Sequence, residues 1–250
     1  MPFVGASGAS FTRTGQRLTK TCDNAVEQAT WLRMAAVLPL EERLRCVEVY
    51  AVTANDYTME HVTGHLATVE PSTNTTRTLY AQVGRWRQIP PITNATWDGY
   101  LDRLRSHCAA AKSRVLWGAY ALLEGERAPA ASFNHGDLTY ENVVIQSDTC
   151  WLIDPNYSPG LFQSYVLDYG KMLQSTHTAY HAIFNRNVGT NLTHHDATLC
   201  GLLRAEGQYR ASLVGCLSHV IRLAKYNLGA IDKVEALAEP LLEELTCSSL

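Results

Sequence analysis

The chain has 250 residues, of which 46% are hydrophobic and 18% charged, and its formal net charge is −3. That composition suits a globular protein with a sizeable core in one large domain or two lobes, and excludes a disordered chain. The slight acidity offers no basic footprint for nucleic acid, and no apolar run is long enough to span a membrane.

The predicted elements begin with β structure. Phe3-Val4 and Phe11-Thr12-Arg13 flank a small-residue loop, Gly5-Ala6-Ser7-Gly8-Ala9-Ser10, whose backbone N–H groups can approach phosphate oxygens closely. Thr14-Gly15-Gln16 reads as a hairpin turn into a strand ending at Lys20. A helix follows, capped by Asp23 or Asn24, with Val26, Trp31, Leu32 and Met34 at apolar positions. Residues 47–52 and 57–62 read as two strands around an Asn55-Asp56 turn.

From residue 65 the pattern turns helical. Helices are expected over 73–88 and 97–123, separated by Pro90-Pro91. In the second, Leu101, Leu104, Cys108, Ala111, Val115, Ala119 and Leu122 form one core stripe. Val143-Val144-Ile145 and Trp151-Leu152-Ile153 then read as a hairpin split by the polar residues 146–149. Further helices are expected near 165–184, 196–206, 207–225 and 233–245. His194-His195-Asp196 reads as a loop and helix cap rather than a metal site. The seven cysteines are scattered, odd in number and without a Cys-x-x-Cys pair, so reduced thiols are expected. Met1-Pro2-Phe3-Val4-Gly5 lacks the features of an export signal, so a cytoplasmic location is expected.

The chemistry concentrates around the hairpin. His135-Gly136-Asp137 precedes it, Asn142 stands at its entrance, and Asp154 of Ile153-Asp154-Pro155 stands at its exit. Each piece alone is an ordinary turn sequence. In this order they supply what phosphoryl transfer needs: one carboxylate for the attacking hydroxyl, and an amide oxygen and a second carboxylate for Mg²⁺.

This segment resembles the aminoglycoside phosphotransferase and choline kinase family, a branch of the protein-kinase-like fold. The resemblance implies an α+β, bilobal architecture: a small β-sheet N-lobe with one helix over 1–62, and a mainly helical C-lobe over 63–250. It implies Asp137 as catalytic base, Asn142 and Asp154 as Mg²⁺ ligands, and His135 and Asp168 as supports of the catalytic loop. It also implies nucleotide contacts from Ser7 and Gly8, and from Lys20 held in place by Glu27. Backbone groups near Glu60 and Val62 would meet the base. The co-substrate would be ATP, with GTP left open.

The implied reaction is transfer of the γ-phosphoryl group to a hydroxyl of a sugar-like or amino-alcohol small molecule. Candidate acceptor residues are Asp98, Asp102, Tyr157, His177 and Tyr180. Trp86, Trp97, Trp117 and Tyr100 could form a cage for a quaternary amine, or equally serve as core. A protein Ser/Thr kinase-like enzyme and a pseudokinase interaction module are the alternatives. No Ala-Pro-Glu motif follows Asp154, against the first; Asp137, Asn142 and Asp154 together speak against the second. No nucleic-acid or membrane partner is expected, and the oligomeric state is open.

Overall fold

The computed structural model describes residues 3–4, 9–69, 73–184 and 192–247. Its first part runs β1 (Phe3–Val4), β2 (Ser10–Thr14), β3 (Arg17–Thr21), α1 (Ala25–Val37), β4 (Leu44–Cys46), β5 (Val49–Val52), β6 (Asp56–Glu60) and β7 (His65–Leu66). Five of these strands form an antiparallel sheet in the order β1-β2-β3-β6-β5. Strand alternation sends Tyr57 and Met59 of β6 inward, while α1 contributes the buried Ala25, Ala29, Trp31 and Leu32. Lys20 of β3 stands opposite Tyr57 in the ladder. That register turns a lysine toward the interior, where it is 1% exposed.

The expected hairpin forms as β8 (Val143–Gln146) and β9 (Thr149–Leu152). It is the centre of a second sheet, ordered β4-β9-β8-β7. β4 was not anticipated from sequence; it pairs in parallel with β9, from a hundred residues away. The hairpin that carries the candidate site is thereby clamped on both edges by strands from the first third of the chain.

The rest is helical: α2 (Thr73–Trp86), α3 (Trp97–Ala111), α4 (Arg114–Gly125), α5 (Tyr165–Thr176), α6 (Tyr180–Ile183), α7 (Thr193–Ala205), α8 (Tyr209–Leu223) and α9 (Ile231–Cys247). The long helix expected over 97–123 is two helices. Lys112 adopts a left-handed conformation at φ 54°, and the Ser113 hydroxyl caps α4 by accepting from the Leu116 N–H. The expected 165–184 helix likewise divides into α5 and α6.

Helices α5 and α8 cross with their backbones in contact at Gly170 and Gly215. A Cβ on Gly170 would lie 2.4 Å from the Gly215 carbonyl carbon, and one on Gly215 would lie 2.6 Å from the Val166 oxygen. This close approach lets His219 of α8 donate from Nε2 to the Leu167 carbonyl at 2.8 Å. It brings the polar residues of α8 over the start of α5. Among the described residues, no helix is long and apolar enough to cross a membrane. The architecture is α+β and bilobal, with a sheet-and-helix lobe followed by a mainly helical one.

Candidate active site

The segment before the hairpin is a tight turn held from below. Gly136 has φ +77°, and a Cβ there would be 2.3 Å from the Asn156 carbonyl oxygen. Asp168, fully buried in the first turn of α5, accepts the His135 N–H at 2.7 Å and the Gly136 N–H at 2.9 Å. Burial pushes its carboxyl up to about 7, against the pull of those two N–H groups. His135 is also fully buried; its Nε2–H donates to the Ile153 carbonyl at 3.1 Å. Its ring meets Trp31 edge-on at 4.9 Å. Burial lowers its imidazole to about 4, so it is neutral at physiological pH.

Asp137, projecting from this turn, keeps about a third of its side chain exposed (34%). Lys171 of α5 places Nζ 2.9 Å from its Oδ1. Burial alone would raise the Asp137 carboxyl. The Lys171 ammonium, through charge and hydrogen bond, and then Arg222 outweigh that and hold it below the usual carboxylate range. The group is therefore ionised at neutral pH and able to accept a proton.

Asn142 donates from Nδ2 to the Asp137 carbonyl at 2.8 Å and to Asp137 Oδ2 at 3.0 Å. Its side-chain oxygen is thus left to face away from Asp137. The Ile153 N–H donates to the Asn142 carbonyl at 3.1 Å, which joins the entrance and exit of the hairpin. Asp154 follows with φ 53°, in the left-handed region that Asp tolerates better than most residues. Its carboxylate is 35% exposed and forms an ion pair with Lys20. An amide oxygen and a carboxylate at one end of a rigid hairpin are hard oxygen donors, the type that suits Mg²⁺.

Lys20 links the two sheets. Besides pairing with Asp154, its ammonium donates to Gln28 Oε1 at 2.9 Å. The Tyr57 hydroxyl donates to the same oxygen at 3.1 Å. The helix partner of Lys20 is therefore Gln28 and not Glu27. Gln28 is buried on the inner face of α1, while Glu27, one residue back, is turned about 100° around the helix and is half-buried.

At the end of β6, the Glu60 N–H is taken by the Glu48 carbonyl at 2.8 Å and the His61 N–H by the Gln16 carbonyl at 2.9 Å. Val62, like Thr63 and Gly64 after it, has no backbone hydrogen bond among the described residues. Ser7 and Gly8 lie outside the described residues.

The candidate acceptor residues are dispersed. Tyr157 lines a narrow cleft beside the catalytic turn, together with Tyr100, Asn134, Gly136, Asn156 and Arg222. Asp98 and Asp102 are exposed on α3, and Asp102 lies 3.6 Å from Arg105. Tyr180 is 7% exposed, packed against Phe184. His177 sits in a separate network, with Nδ1 3.1 Å from Asp196 Oδ1 and Nε2 2.8 Å from Glu244 Oε2. His195 is buried, 2.5 Å from the Thr76 hydroxyl, so the two adjacent histidines do not converge. Trp86 and Trp97 are core residues, and Trp117 is 40% exposed away from them. No cage forms from these tryptophans. Gln28, Lys171 and Arg222 join the candidate site through contacts that no local sequence motif announces, Gln28 at Lys20, Lys171 at Asp137 and Arg222 in the cleft.

No family model matches the chain, and no curated protein is significantly similar to it in sequence. Solved structures do match over nearly the whole length. The ADP-bound aminoglycoside phosphotransferase APH(2'')-Ib superposes with TM-score 0.62 at 10% identity, over 98% of this chain and 93% of its own. A streptomycin–ATP complex of APH(2'')-IIa gives 0.62 at 11% identity, over 98% and 92%. A choline/ethanolamine kinase family protein from Mesorhizobium loti gives 0.60 at 16% identity, over 95% and 86%. Likeness at such low identity speaks to architecture, and the chain has the bilobal kinase-like fold that these small-molecule phosphotransferases share.

Proposed function

We propose that the protein is a phosphotransferase that moves the γ-phosphoryl group of a nucleoside triphosphate, ATP in the first instance, to a hydroxyl of a small molecule. The observation that carries this reading is the convergence of Asp137, Asn142, Asp154 and Lys20 around one end of the β8–β9 hairpin. In this reading residues 1–62 form the nucleotide lobe and 63–250 the lobe that carries the base and the acceptor.

Asp137 accepts the acceptor's hydroxyl proton while that oxygen bonds to the γ-phosphorus. The bond from phosphorus to the bridging oxygen breaks, and a nucleoside diphosphate leaves with the electron pair. Asn142 fixes the rotamer of Asp137 through its amide N–H. Asp168 holds the turn on which Asp137 stands, and neutral His135 fills the space beneath it. Lys20 would meet the nucleotide phosphates, with Gln28 keeping the ammonium in position. Asn142 and Asp154 would hold Mg²⁺, which supplies charge neutralisation at the phosphates. Val62 offers its backbone to the base. GTP satisfies the same contacts in principle.

Binding titrations test this assignment. Asp154→Ala should weaken Mg²⁺–ATP binding at least tenfold while Asp137→Asn leaves it within twofold. Equal affinity in the wild type and Asp154→Ala would remove Asp154 from the metal site.

A further inference from the structure

The charge beside the candidate base is of the wrong sign for an amine. Among the described residues, the cleft next to Gly136 is lined by no Asp or Glu, but it does contain Arg222 of α8. Arg222 is held rather than loose. The Nε2–H of His219 is committed to the Leu167 carbonyl, so its Nδ1 is an acceptor, and Arg222 Nη1 donates to it at 3.3 Å. A neutral histidine thus orients the guanidinium and consumes one of its five donors. Among the described residues Arg222 forms no salt bridge, although its charge is felt at Asp137. Lys171, the other cation at this edge, spends its charge on Asp137. Farther along, His107 is lowered by burial and then by Lys225, Arg222 and Arg103, which marks a run of cations on this side. The exposed acids Asp98 and Asp102 are not among the residues lining the cleft.

An oriented, partly buried guanidinium with free donors and no salt bridge among the described residues favours a planar or tetrahedral anion, which it can grip through two parallel N–H bonds. It repels an ammonium group. We infer that the acceptor is a hydroxy compound bearing an anionic group, a carboxylate or a phosphate, that Arg222 binds while the hydroxyl faces Asp137. This rests on the phosphotransferase reading. The bond made is between the acceptor oxygen and the γ-phosphorus, the bond broken is the bridging phosphorus–oxygen bond, and the proton goes to Asp137. The product carries both the original anion and a new phosphomonoester.

The test is Mg²⁺–ATP turnover on four separate pools: sugar carboxylates, sugar phosphates, neutral sugars, and amines including aminoglycosides. The expected result is kcat/KM at least tenfold higher on one anionic pool than on its neutral counterparts. Which anionic pool wins distinguishes carboxylate from phosphate. Arg222→Gln, which keeps a donor for His219, should erase that preference, with the loss falling on KM for the anionic pool more than on kcat. Arg222→Lys should retain part of it, and guards against a folding defect in the first variant. A preference for neutral or amine acceptors would overturn the inference while leaving the phosphotransferase reading in place. So would an anionic preference unchanged in Arg222→Gln. Nucleotide binding without turnover on any pool would overturn both.

Discussion

Gly136→Ala offers a quantitative test of how the catalytic turn is built. Two independent costs arise there. The first is φ +77°, a left-handed conformation that costs an L side chain about 1–2 kcal/mol. The second is steric, because the new methyl would lie 2.3 Å from the Asn156 carbonyl oxygen, more than 1 Å inside ordinary contact. Forced overpacking of this kind adds about 1–3 kcal/mol. The sum, about 2–5 kcal/mol, is a large fraction of the roughly 5–15 kcal/mol that holds a domain folded. Gly15→Ala supplies the control. Its φ is +62°, and none of the described residues lies within 4 Å of its added Cβ, so it carries the first cost alone. Urea denaturation of both variants at constant m-value separates the two effects. The expected order is Gly136→Ala well below Gly15→Ala, which is itself slightly below the wild type. If the turn yields instead of the whole fold, stability recovers but Asp137 shifts, and a displacement of about 1 Å can cost on the order of 100-fold in turnover. Gly136→Ala with both stability and turnover matching Gly15→Ala would refute the close packing of this turn against Asn156.

Three further outcomes follow from the same contacts. Gln28→Ala leaves the Lys20 ammonium and the Tyr57 hydroxyl short of a buried acceptor. It should cost about 1–3 kcal/mol in a denaturation series, whereas Glu27→Ala should stay within about 0.5 kcal/mol; the reverse order would reinstate Glu27 as the partner. Lys20→Ala should lower turnover by at least 100-fold with the fold intact by circular dichroism, and a loss under tenfold would displace Lys20 from the phosphates. The third outcome concerns pH. Hydrogen bonds to Asp196, then to Cys200 and, against burial, to Glu244 hold the His177 imidazole up at about 11. A pKa raised above the unfolded value contributes stability that is complete below about 6.5 and fades as pH climbs toward the folded value. The melting temperature should therefore fall between pH 7 and pH 10, and His177→Gln should flatten that slope; an equal slope in both proteins would remove His177 as its source.

The candidate segment around the β8–β9 hairpin was legible in the sequence as a structural unit because its parts are local. Asp137, Asn142 and Asp154 are tied by one hairpin, and hairpins are written in short apolar runs and turn residues. The bilobal α+β fold followed from the resemblance that those residues carry, and the low identity of the matching structures leaves the architecture as the shared property. Errors appeared where the determinant is distant or a matter of rotation. Glu27 and Gln28 are adjacent in sequence but face different sides of α1, and the helix has too little apolar contrast to choose between them. β4 is three residues long and exists because β9 lies beside it. The break between α3 and α4 turns on Lys112, which carries none of the usual signals of Gly or Pro, while the apolar stripe runs on unbroken through both helices. Arg222 gains its place from the glycine contact between α5 and α8, and nothing in its local sequence reports on Asp137.

In the proposed reaction Asp137 serves as the base of a phosphoryl transfer to a small-molecule hydroxyl. The most direct test is acceptor-dependent Mg²⁺–ATP turnover by the wild type and Asp137→Asn on the same pools of hydroxy compounds, with nucleotide affinity measured alongside. Turnover in the wild type should fall at least 100-fold in Asp137→Asn at unchanged nucleotide affinity. Equal turnover in the two proteins, or bound nucleotide with no acceptor phosphorylated by the wild type, would contradict it.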